Sequence, residues 1–393
     1  MSPIHVTFVV TKFNVGGMER CITRVANGLN RELFRASVIC LDRTGTAQDW
    51  LEVDDVEVIE LRKGSGNSFQ VIKKLASCLV DIRADVVHSH NWGTLVETAL
   101  AAKRIKSISH VHAERGSVLG SDNPGRLKEF VRQQVMRWAI GRARTVMTNS
   151  HCVAGKIEKA CGQLGDKLAI IPNGVDVPYS SEWLNEARHS IRSRHSISSN
   201  VFLLGTVGRL VGVKNFPLAI EALQLARKTC KHREVCLMIV GDGPERSSLE
   251  ALVRKASLQD HVHFVGHQEN AWQFLSAFDA YTNCSTSEGM SQSIMEAMAV
   301  GKPVIASNVG DSSRMLAGES PCGIIFNSQD ALEFAKAIEK LVNSPEQSKL
   351  LARNSLLRHQ DRYSERAMLD GFERMYSSAV SDAVANKQEA LRK

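Results

Sequence analysis

Short apolar runs alternate with helical patterns along the first half of the chain. Apolar residues spaced three and four apart predict helices at Gly17–Asn30, Phe69–Val80 and Thr94–Lys103. Continuous apolar strands joined by helices predict a parallel sheet that is covered on both faces. The predicted strands are Ile4–Val10, Ser37–Leu41, Val56–Leu61, Asp85–His88, Ile108–His112, Thr145–Thr148 and Leu168–Ile171.

The same alternation restarts after a polar, serine-rich segment, which we interpret as a linker at 179–200. The sequence therefore predicts an α/β protein with two successive Rossmann-like domains, at 1–178 and 201–365. Six further strands are predicted, at Val201–Val207, Val235–Val240, Val262–Val265, Ala277–Thr282, Val304–Ser307 and Gly323–Phe326.

Length and composition agree with a globular protein of two or three domains. The chain has 393 residues, of which 43% are hydrophobic and 23% charged, and this balance excludes a disordered protein. No apolar run reaches the roughly 18 residues of a membrane span, and the N-terminal run reads as a strand rather than a signal peptide. The nine cysteines form no CxxC pair, which favours a reduced, cytoplasmic protein.

Two carboxylates, Glu288 and Glu296, lie eight positions apart between two predicted strands. Gly289 has no Cβ and lets the backbone pass close to a ligand, and the free N–H groups of Met290 and Ser291 would open a helix that attracts an anion. If the whole segment were helical, the carboxylates would span roughly 12 Å. Glutamate is usually a solvated helix residue. A loop between a parallel strand and its helix is, however, where open α/β sheets bind ligands.

Two more loops follow predicted strands. Gly16 and Gly17, in the run Asn14-Val-Gly-Gly-Met-Glu-Arg20, relax the turn before a helix, but the run is not the GxGxxG of nicotinamide- or flavin-binding proteins. Arg209 and Lys214 follow the first strand of the second domain, where two cations can neutralise a diphosphate. The alternatives are an ordinary tight turn and two exposed surface cations. A Walker A loop is excluded because Val213-Lys214-Asn215 replaces Gly-Lys-Ser/Thr.

Glu288, Glu296 and their flanking residues resemble the E-x7-E signature of retaining glycosyltransferases of family 4, which have the GT-B fold. Gly-Gly-Met-Glu-Arg20 and Gly208-Arg-Leu…Lys-Asn215 are similar to two further loops of that family, and the resemblance covers nearly the whole chain. It implies two Rossmann-like domains that face a central cleft. It also implies that a C-terminal helix at about 366–393 crosses back to the first domain.

The resemblance implies a sugar transfer from a nucleotide-sugar to a glycan or lipid-linked acceptor, with retention of configuration. Arg209, Lys214 and the helix that starts near Ser291 would stabilise the leaving diphosphate. Glu288 would hold sugar hydroxyls and Glu296 the ribose hydroxyls. The sequence has no DxD run for Mg²⁺ or Mn²⁺, and the resemblance implies an enzyme without metal or other cofactor. Many family members with such a Gly-Gly loop act in bacterial exopolysaccharide or lipopolysaccharide assembly.

The sequence departs from the family near the end of the fifth strand. Family members commonly carry a histidine there that contacts donor sugar and acceptor, so the resemblance makes His112 the catalytic candidate beside Glu288. Relatives often read His-x-Glu-His-Gly, whereas this chain has Arg115 at the second histidine position. The alternative is that His112 is a histidine packed at the end of a strand, without a catalytic role. His88 and His90 also end a strand, and no further ligands at a recognisable spacing suggest a metal there.

Positive charge is concentrated between Lys103 and Arg144, with ten Lys or Arg against three acidic residues in a chain of net charge +7. Apolar residues alternate with these cations at near-helical spacing, and a basic helix at about 124–144 favours a membrane surface over nucleic acid, for which no motif is present. The alternative is a helix that packs its apolar stripe on the sheet. We therefore expect a cytoplasmic protein at the inner face of the membrane.

Two alternative functions remain open from the sequence. One is a nucleotide-sugar epimerase on the same fold. The other is a non-catalytic paralogue that binds a nucleotide-sugar without turnover, which Arg115 makes conceivable.

Overall fold

The computed structural model describes residues 2–63, 69–105, 107–115, 126–230 and 232–392, without the side chains of Arg126, Lys128 and 382–392. These residues form two compact units, 1–173 with 368–393 and 174–367. Each unit has one parallel sheet with helices on both faces, and the predicted α/β fold of two Rossmann-like domains is confirmed.

The first unit has a seven-stranded sheet in the order β3-β2-β1-β4-β5-β6-β7. The strand order reverses between β1 and β4, which is where open α/β sheets place their ligands, beyond the carboxyl ends of the strands. The strands β1 to β7 are Ile4–Val10, Phe34–Cys40, Glu57–Glu60, Val86–His90, Ser109–Ala113, Thr145–Thr148 and Leu168–Ile170. The helices α1 to α5 are Gly17–Gly28, Phe69–Asp81, Trp92–Ala102, Arg126–Arg142 and His151–Cys161, with 3₁₀ turns at Thr46–Trp50 and Gly165–Lys167.

The second unit has a six-stranded sheet in the order β10-β9-β8-β11-β12-β13, and its order reverses between β8 and β11. Its strands β8 to β13 are Phe202–Val207, Val235–Val240, Val262–Gly266, Ala280–Asn283, Val304–Ser307 and Gly323–Phe326. The helices α6 to α13 are Ser181–Arg194, Phe216–Thr229, Arg246–Lys255, Trp272–Ala277, Gln292–Ala299, Ser312–Leu316, Ala331–Asn343 and Pro345–Arg362, with a 3₁₀ turn at Gly212–Lys214.

The last helix, α14 at Glu365–Arg392, begins in the second unit and belongs to the first unit from Met368 onward. Its apolar side chains Met368, Phe372 and Tyr376 are buried in the core of the first unit. The Tyr376 hydroxyl lies 2.8 Å from Nδ1 of His88 on β4. This last helix therefore completes the hydrophobic core of the first unit.

The linker prediction for 179–200 is wrong, because Ser181–Arg194 is a helix that packs on α9 in the second unit. Ser180 caps it by accepting from the N–H of Trp183. The helix is fixed largely by arginines rather than by an apolar stripe, since Arg188 and Arg192 pair with Asp279. The fourth strand of the second sheet also begins later than predicted, at Ala280, because Ala277 ends α9.

Among the described residues, no helix is both long enough and apolar enough to cross a bilayer. The basic helix predicted at about 124–144 corresponds to α4 at Arg126–Arg142, and residues 124 and 125 lie outside the described part of the chain.

Candidate functional site

The loops that follow β8 and β11 meet at the carboxyl edge of the second sheet, where the strand order reverses. The loop after β8 carries Arg209 and Lys214, and the loop after β11 carries Glu288. The N–H of Thr286 donates to the carbonyl of Val213 over 2.8 Å, which ties the two loops together. Lys214 and Glu288, which are 74 positions apart in the sequence, are thus brought together in one cluster.

Lys214 and Glu288 are in direct contact within this cluster. The Lys214 Nζ donates to Glu288 Oε1 over 2.6 Å, and Ser285 Oγ donates to the same oxygen over 2.7 Å. Both charged side chains are partly buried, with 25% and 15% of their surface exposed. Sequence reasoning gave the two residues separate roles and missed Ser285, which the structure places as the third member of the group.

Gly310 packs closely against the backbone of the loop that carries Glu288. Its φ is +55°, and a Cβ added there would lie 2.4 Å from the carbonyl oxygen of Gly289. The next residue, Asp311, donates its N–H to that same carbonyl over 2.9 Å. Only glycine combines the left-handed backbone with this close approach. The sequence prediction named Gly289 but not Gly310, whose close approach the packing of this loop requires.

The helix α10 begins at Gln292, so the segment from Glu288 to Ser291 is not helical and the 12 Å span does not apply. Ser291 precedes the helix, and its side chain makes no capping bond because Oγ lies 3.2 Å from Asn283 Nδ2. The first N–H groups of α10 are therefore directed out of the helix without a serine cap. Glu296 lies within α10 and is half-buried.

Tyr281 is a fully buried residue beneath this loop that sequence reasoning did not identify. Its hydroxyl donates to the carbonyl of Val207 at the end of β8, over 3.4 Å. Burial raises the pKa of Tyr281 far above its usual value, with a smaller contribution from the negative charge of Glu296. The phenol stays neutral and supports the ends of both strands that carry the site.

Arg209 is exposed at the end of β8, on a loop supported by two glycines. A Cβ on Gly241 would lie 1.9 Å from the carbonyl oxygen of Gly208, and a Cβ on Gly243 would lie 2.4 Å from that of Leu210. The Gly-Asp-Gly turn after β9 thus has a structural role, because it lets the backbone that carries Arg209 pack against it.

In the first unit, Gly16 and Gly17 lie where β1 leads into α1. Gly16 is extended and accepts from the N–H of Arg20 at the start of α1. A Cβ on Gly16 would meet the flexible carboxylate of Glu19, and one on Gly17 would meet nothing within 4 Å. The start of α1 has no side-chain cap. Its first N–H groups are therefore directed beyond the carboxyl end of β1.

His112 lies on β5 and is completely buried. Its Nδ1 shares Ser89 Oγ with Nε2 of His110, at 2.9 and 2.8 Å. Its Nε2 lies 4.0 Å from Glu114 Oε2 and has no hydrogen-bond partner among the described residues. Burial, with smaller contributions from His110 and His90, lowers the pKa of His112 well below 6.5. His112 is thus a neutral imidazole inside the protein rather than an exposed group.

Arg115, at the position where the family pattern has a histidine, is tied into the first unit. Its backbone N–H donates to Asn91 Oδ1 over 3.2 Å, and Nη1 donates to Asn173 Oδ1 over 2.9 Å. Its guanidinium lies 5.7 Å from the ring centre of Phe372 on α14. Asn173, which follows β7, therefore helps to anchor Arg115.

Two family models match most of the chain. The glycosyltransferase family 4 model matches residues 15–178, and the model of glycosyl transferases group 1 matches residues 187–357. The lipopolysaccharide core biosynthesis glycosyltransferase LpsD of Rhizobium meliloti (strain 1021) is 32% identical over 183 residues, which are 47% of this chain and 51% of LpsD. The aligned part therefore spans about half the length of that relative.

Solved structures with the same fold extend the similarity to the whole chain. A glycosyltransferase from Rickettsia africae ESF-5 has a TM-score of 0.77 at 20% identity, covering 97% of this chain and 99% of that one. Anabaena Alr3699/HepE in complex with UDP has a TM-score of 0.73 at 22% identity, covering 96% and 100%. With both family models and this fold, the chain belongs to the GT-B glycosyltransferases, as a family 4 domain followed by a group 1 domain.

Proposed function

We propose that the protein transfers a sugar from a nucleotide-sugar to a glycan or lipid-linked acceptor with retention of configuration, in the synthesis of a cell-surface polysaccharide. The contact between Lys214 and Glu288 carries this proposal. In a nucleotide-sugar, a phosphate and the sugar hydroxyls are only a few bonds apart, so an adjacent ammonium and carboxylate match that junction. The lysine ammonium has three donors, and the bond to Glu288 uses one of them.

The other residues of the donor site would stabilise the leaving diphosphate. Negative charge develops on the diphosphate as the glycosidic bond breaks, and preorganised donors that face it lower the barrier. Arg209 offers a planar fork, Lys214 a point charge and the start of α10 its backbone N–H groups. Glu296 would accept from the ribose hydroxyls. In this proposal no metal ion or further cofactor is needed.

The acceptor side of the proposal rests on the Gly16–Gly17 loop and on His112. Nε2 of His112 is the ring atom without a protein partner among the described residues, and a neutral imidazole can accept a hydrogen bond there. The bond that Ser89 makes to Nδ1 fixes the plane of the ring. His112 therefore stays our catalytic candidate in this unit. Its replacement by asparagine is expected to lower the transfer rate more than the donor affinity.

The comparisons support the substrate class and the process. HepE is described in complex with UDP, and LpsD is named for lipopolysaccharide core synthesis. A lipid-linked acceptor would place the enzyme at the cytoplasmic face of the membrane, where α4 with its cations meets anionic lipid.

Calorimetric titration with UDP-, GDP- and ADP-glucose tests the donor site. We expect one of the three to bind wild-type protein, and Glu288→Gln and Arg209→Ala to lose at least tenfold in affinity. Lys228→Ala, which removes an exposed cation of α7, serves as the matched control and should bind as wild type does. If none of the nucleotide-sugars binds, or if Glu288→Gln binds as tightly as wild type, the site assignment is wrong.

Turnover separates the proposal from its alternatives. Conversion of the bound donor into another sugar nucleotide without acceptor would indicate an epimerase, and donor binding without turnover on any lipid or glycan acceptor would indicate a non-catalytic paralogue. NMR of the anomeric proton in the product tests retention. Equal rates with and without EDTA test the metal independence.

A further inference from the structure

The first unit contains a cavity of about 610 Å³ whose walls are helices α2, α3 and α4. Its size lies within the roughly 300–1,000 Å³ of small-molecule sites. α3 packs against both other helices, and the walls are mostly apolar. The apolar lining includes Phe69, Ile72, Trp92, Val96, Val131 and Val135.

Apolar side chains continue from the cavity onto the surface. Phe69 and Val131, which line the cavity, are 79% and 52% exposed, and Leu127, one helical turn before Val131, is 79% exposed. Large exposed apolar groups that adjoin a cavity mark a binding surface. A ligand that fills the cavity and covers this rim must itself be apolar over most of its length.

The charged residues that line the cavity indicate the chemistry of the polar head group of that ligand. Lys63 and Glu97 form a partly buried ion pair in the wall, so their charges cancel. Arg132 lines the same cavity, and α4 as a whole carries five cationic residues against the single acid Glu129. By sequence, α4 therefore carries a net positive charge, which is complementary to an anionic head group.

The cavity lies near the carboxyl end of β4, which pairs with β1, the strand before the Gly16–Gly17 loop. Trp92 and Gly93 line it and follow β4 directly, and Thr11, which follows β1, donates from Oγ1 to the carbonyl of Gly93 over 3.5 Å. The Gly16–Gly17 loop also follows β1. The cavity thus adjoins the carboxyl ends of β4 and β1 in the first unit, and the donor cluster belongs to the other unit.

We propose that this cavity binds the hydrocarbon chain of an anionic amphiphile, which is the lipid-linked acceptor. The role as acceptor rests on the proposed function. The chain lies between α2, α3 and α4, and the anionic head group stays near Arg132 at the opening. The cavity thereby selects a lipid-linked acceptor over a free glycan.

Calorimetric titration with dodecyl phosphate, kept below its critical micelle concentration, tests the proposal. We expect saturable one-to-one binding to wild-type protein and an affinity about 15-fold lower for decyl phosphate, since each methylene is worth about 0.8 kcal/mol. Dodecyltrimethylammonium, which has the same chain and the opposite charge, should bind more weakly than dodecyl phosphate.

Two variants locate the binding. Val96→Trp fills the cavity from the half-buried face of α3, and Val131→Asp places a charge on its exposed rim, where folding is not at risk. Both should lose dodecyl phosphate binding, whereas Leu357→Asp on an exposed position of α13 should keep it. Unchanged binding in both cavity variants, or no binding to wild type, overturns the proposal. A wild-type dimer that Val131→Asp dissociates would show that a second copy covers the rim and would also overturn it.

Donor titration of the same samples separates this proposal from the proposed function. Donor binding without dodecyl phosphate binding rejects the cavity and leaves the glycosyltransferase proposal in place. Dodecyl phosphate binding without donor binding keeps the cavity as an amphiphile site and rejects its role in sugar transfer.

Discussion

At the scale of single residues, the ion pair of Lys214 and Glu288 is the feature that the sequence did not predict. Each residue was assigned to its own part of the donor, but the two side chains share a hydrogen bond of 2.6 Å. Neighbouring groups that share a partner are energetically coupled. The two residues are therefore expected to act on donor binding as one unit.

A double-mutant cycle measures this coupling. Lys214→Ala and Glu288→Gln should each weaken donor binding about 10- to 150-fold, because a hydrogen bond to a charged group is worth about 1.5–3 kcal/mol. The double variant should lose less than the sum of the two losses, as calorimetric dissociation constants will show. Strict additivity would contradict the shared role, and Lys228→Ala controls for the general effect of a lost cation.

A second prediction concerns Gly310, which has no side chain and affects the site only through its backbone. Gly310→Ala forces a Cβ against the carbonyl of Gly289 and strains a backbone with positive φ, at a cost on the order of 1–3 kcal/mol. We expect weaker donor binding and a lower midpoint of thermal unfolding. The matched substitution Gly155→Ala on α5, where nothing lies within 4 Å, should instead raise stability by up to about 1 kcal/mol. Equal effects of the two substitutions would contradict this account.

At the scale of secondary structure elements, the two halves of α4 differ in burial. Its second half packs inward, since Met136, Ala139 and Ile140 are buried. Its first half exposes Leu127 and Phe130. The packed half fixes the helix to the sheet, and the exposed half is the part that we expect to meet the membrane.

Sedimentation with vesicles tests this expectation. Wild-type protein should bind vesicles that contain anionic phosphatidylglycerol, and high salt should weaken the binding because it screens the attraction. Leu127→Ser with Phe130→Ser should reduce the binding severalfold without a change in stability, because both side chains are exposed. Leu350→Ser with Leu357→Ser on α13 is the matched control. Equal binding by both double variants would argue against α4 as the contact.

Helix α6 shows why a polar, serine-rich segment can resemble a linker in the sequence. Its anchors are arginines, and Arg188 Nη1 donates to the carbonyls of Ala277 and Phe278 over 2.8 and 2.9 Å. Hydrogen bonds from an arginine to distant backbone carbonyls do not appear in the pattern of hydrophobic and polar residues along the sequence. The sequence did carry a weaker signal, namely Ser180 as a cap and cations in the last turn.

At the scale of the whole molecule, we expect four buried histidines to make the folded protein less stable in acid. His88, His90, His110 and His112 are all fully buried on β4 and β5, and burial lowers the pKa of each. The pKa falls to about 3 for His90 and about 4 for His110. The unfolded chain takes up protons below about pH 6.5 while the folded chain does not, so stability is lost as the pH falls from 6.5 towards 4.

Urea unfolding at pH 7.5 and pH 5 measures this effect. At pH 5, His90 and His110 should each lower the free energy of unfolding by about 2 kcal/mol, because their pKa values of about 3 and about 4 in the folded protein lie below pH 5. His110→Gln should shrink the difference between the two pH values, whatever it does to stability at pH 7.5. His232→Gln, at an exposed position, should leave the difference as in wild type. A difference that His110→Gln does not change would contradict the assignment.

The sequence by itself determined the fold class and most strands, because apolar runs and glycine turns are local patterns that burial on a parallel sheet requires. The second sheet's strands at Val235–Val240, Val304–Ser307 and Gly323–Phe326 start and end where predicted. Tertiary structure decided which residues meet. The contact between Lys214 and Glu288, the approach of Gly310 to Gly289 and the burial of His112 depend on strand order and on packing between distant segments, and no local pattern encodes them.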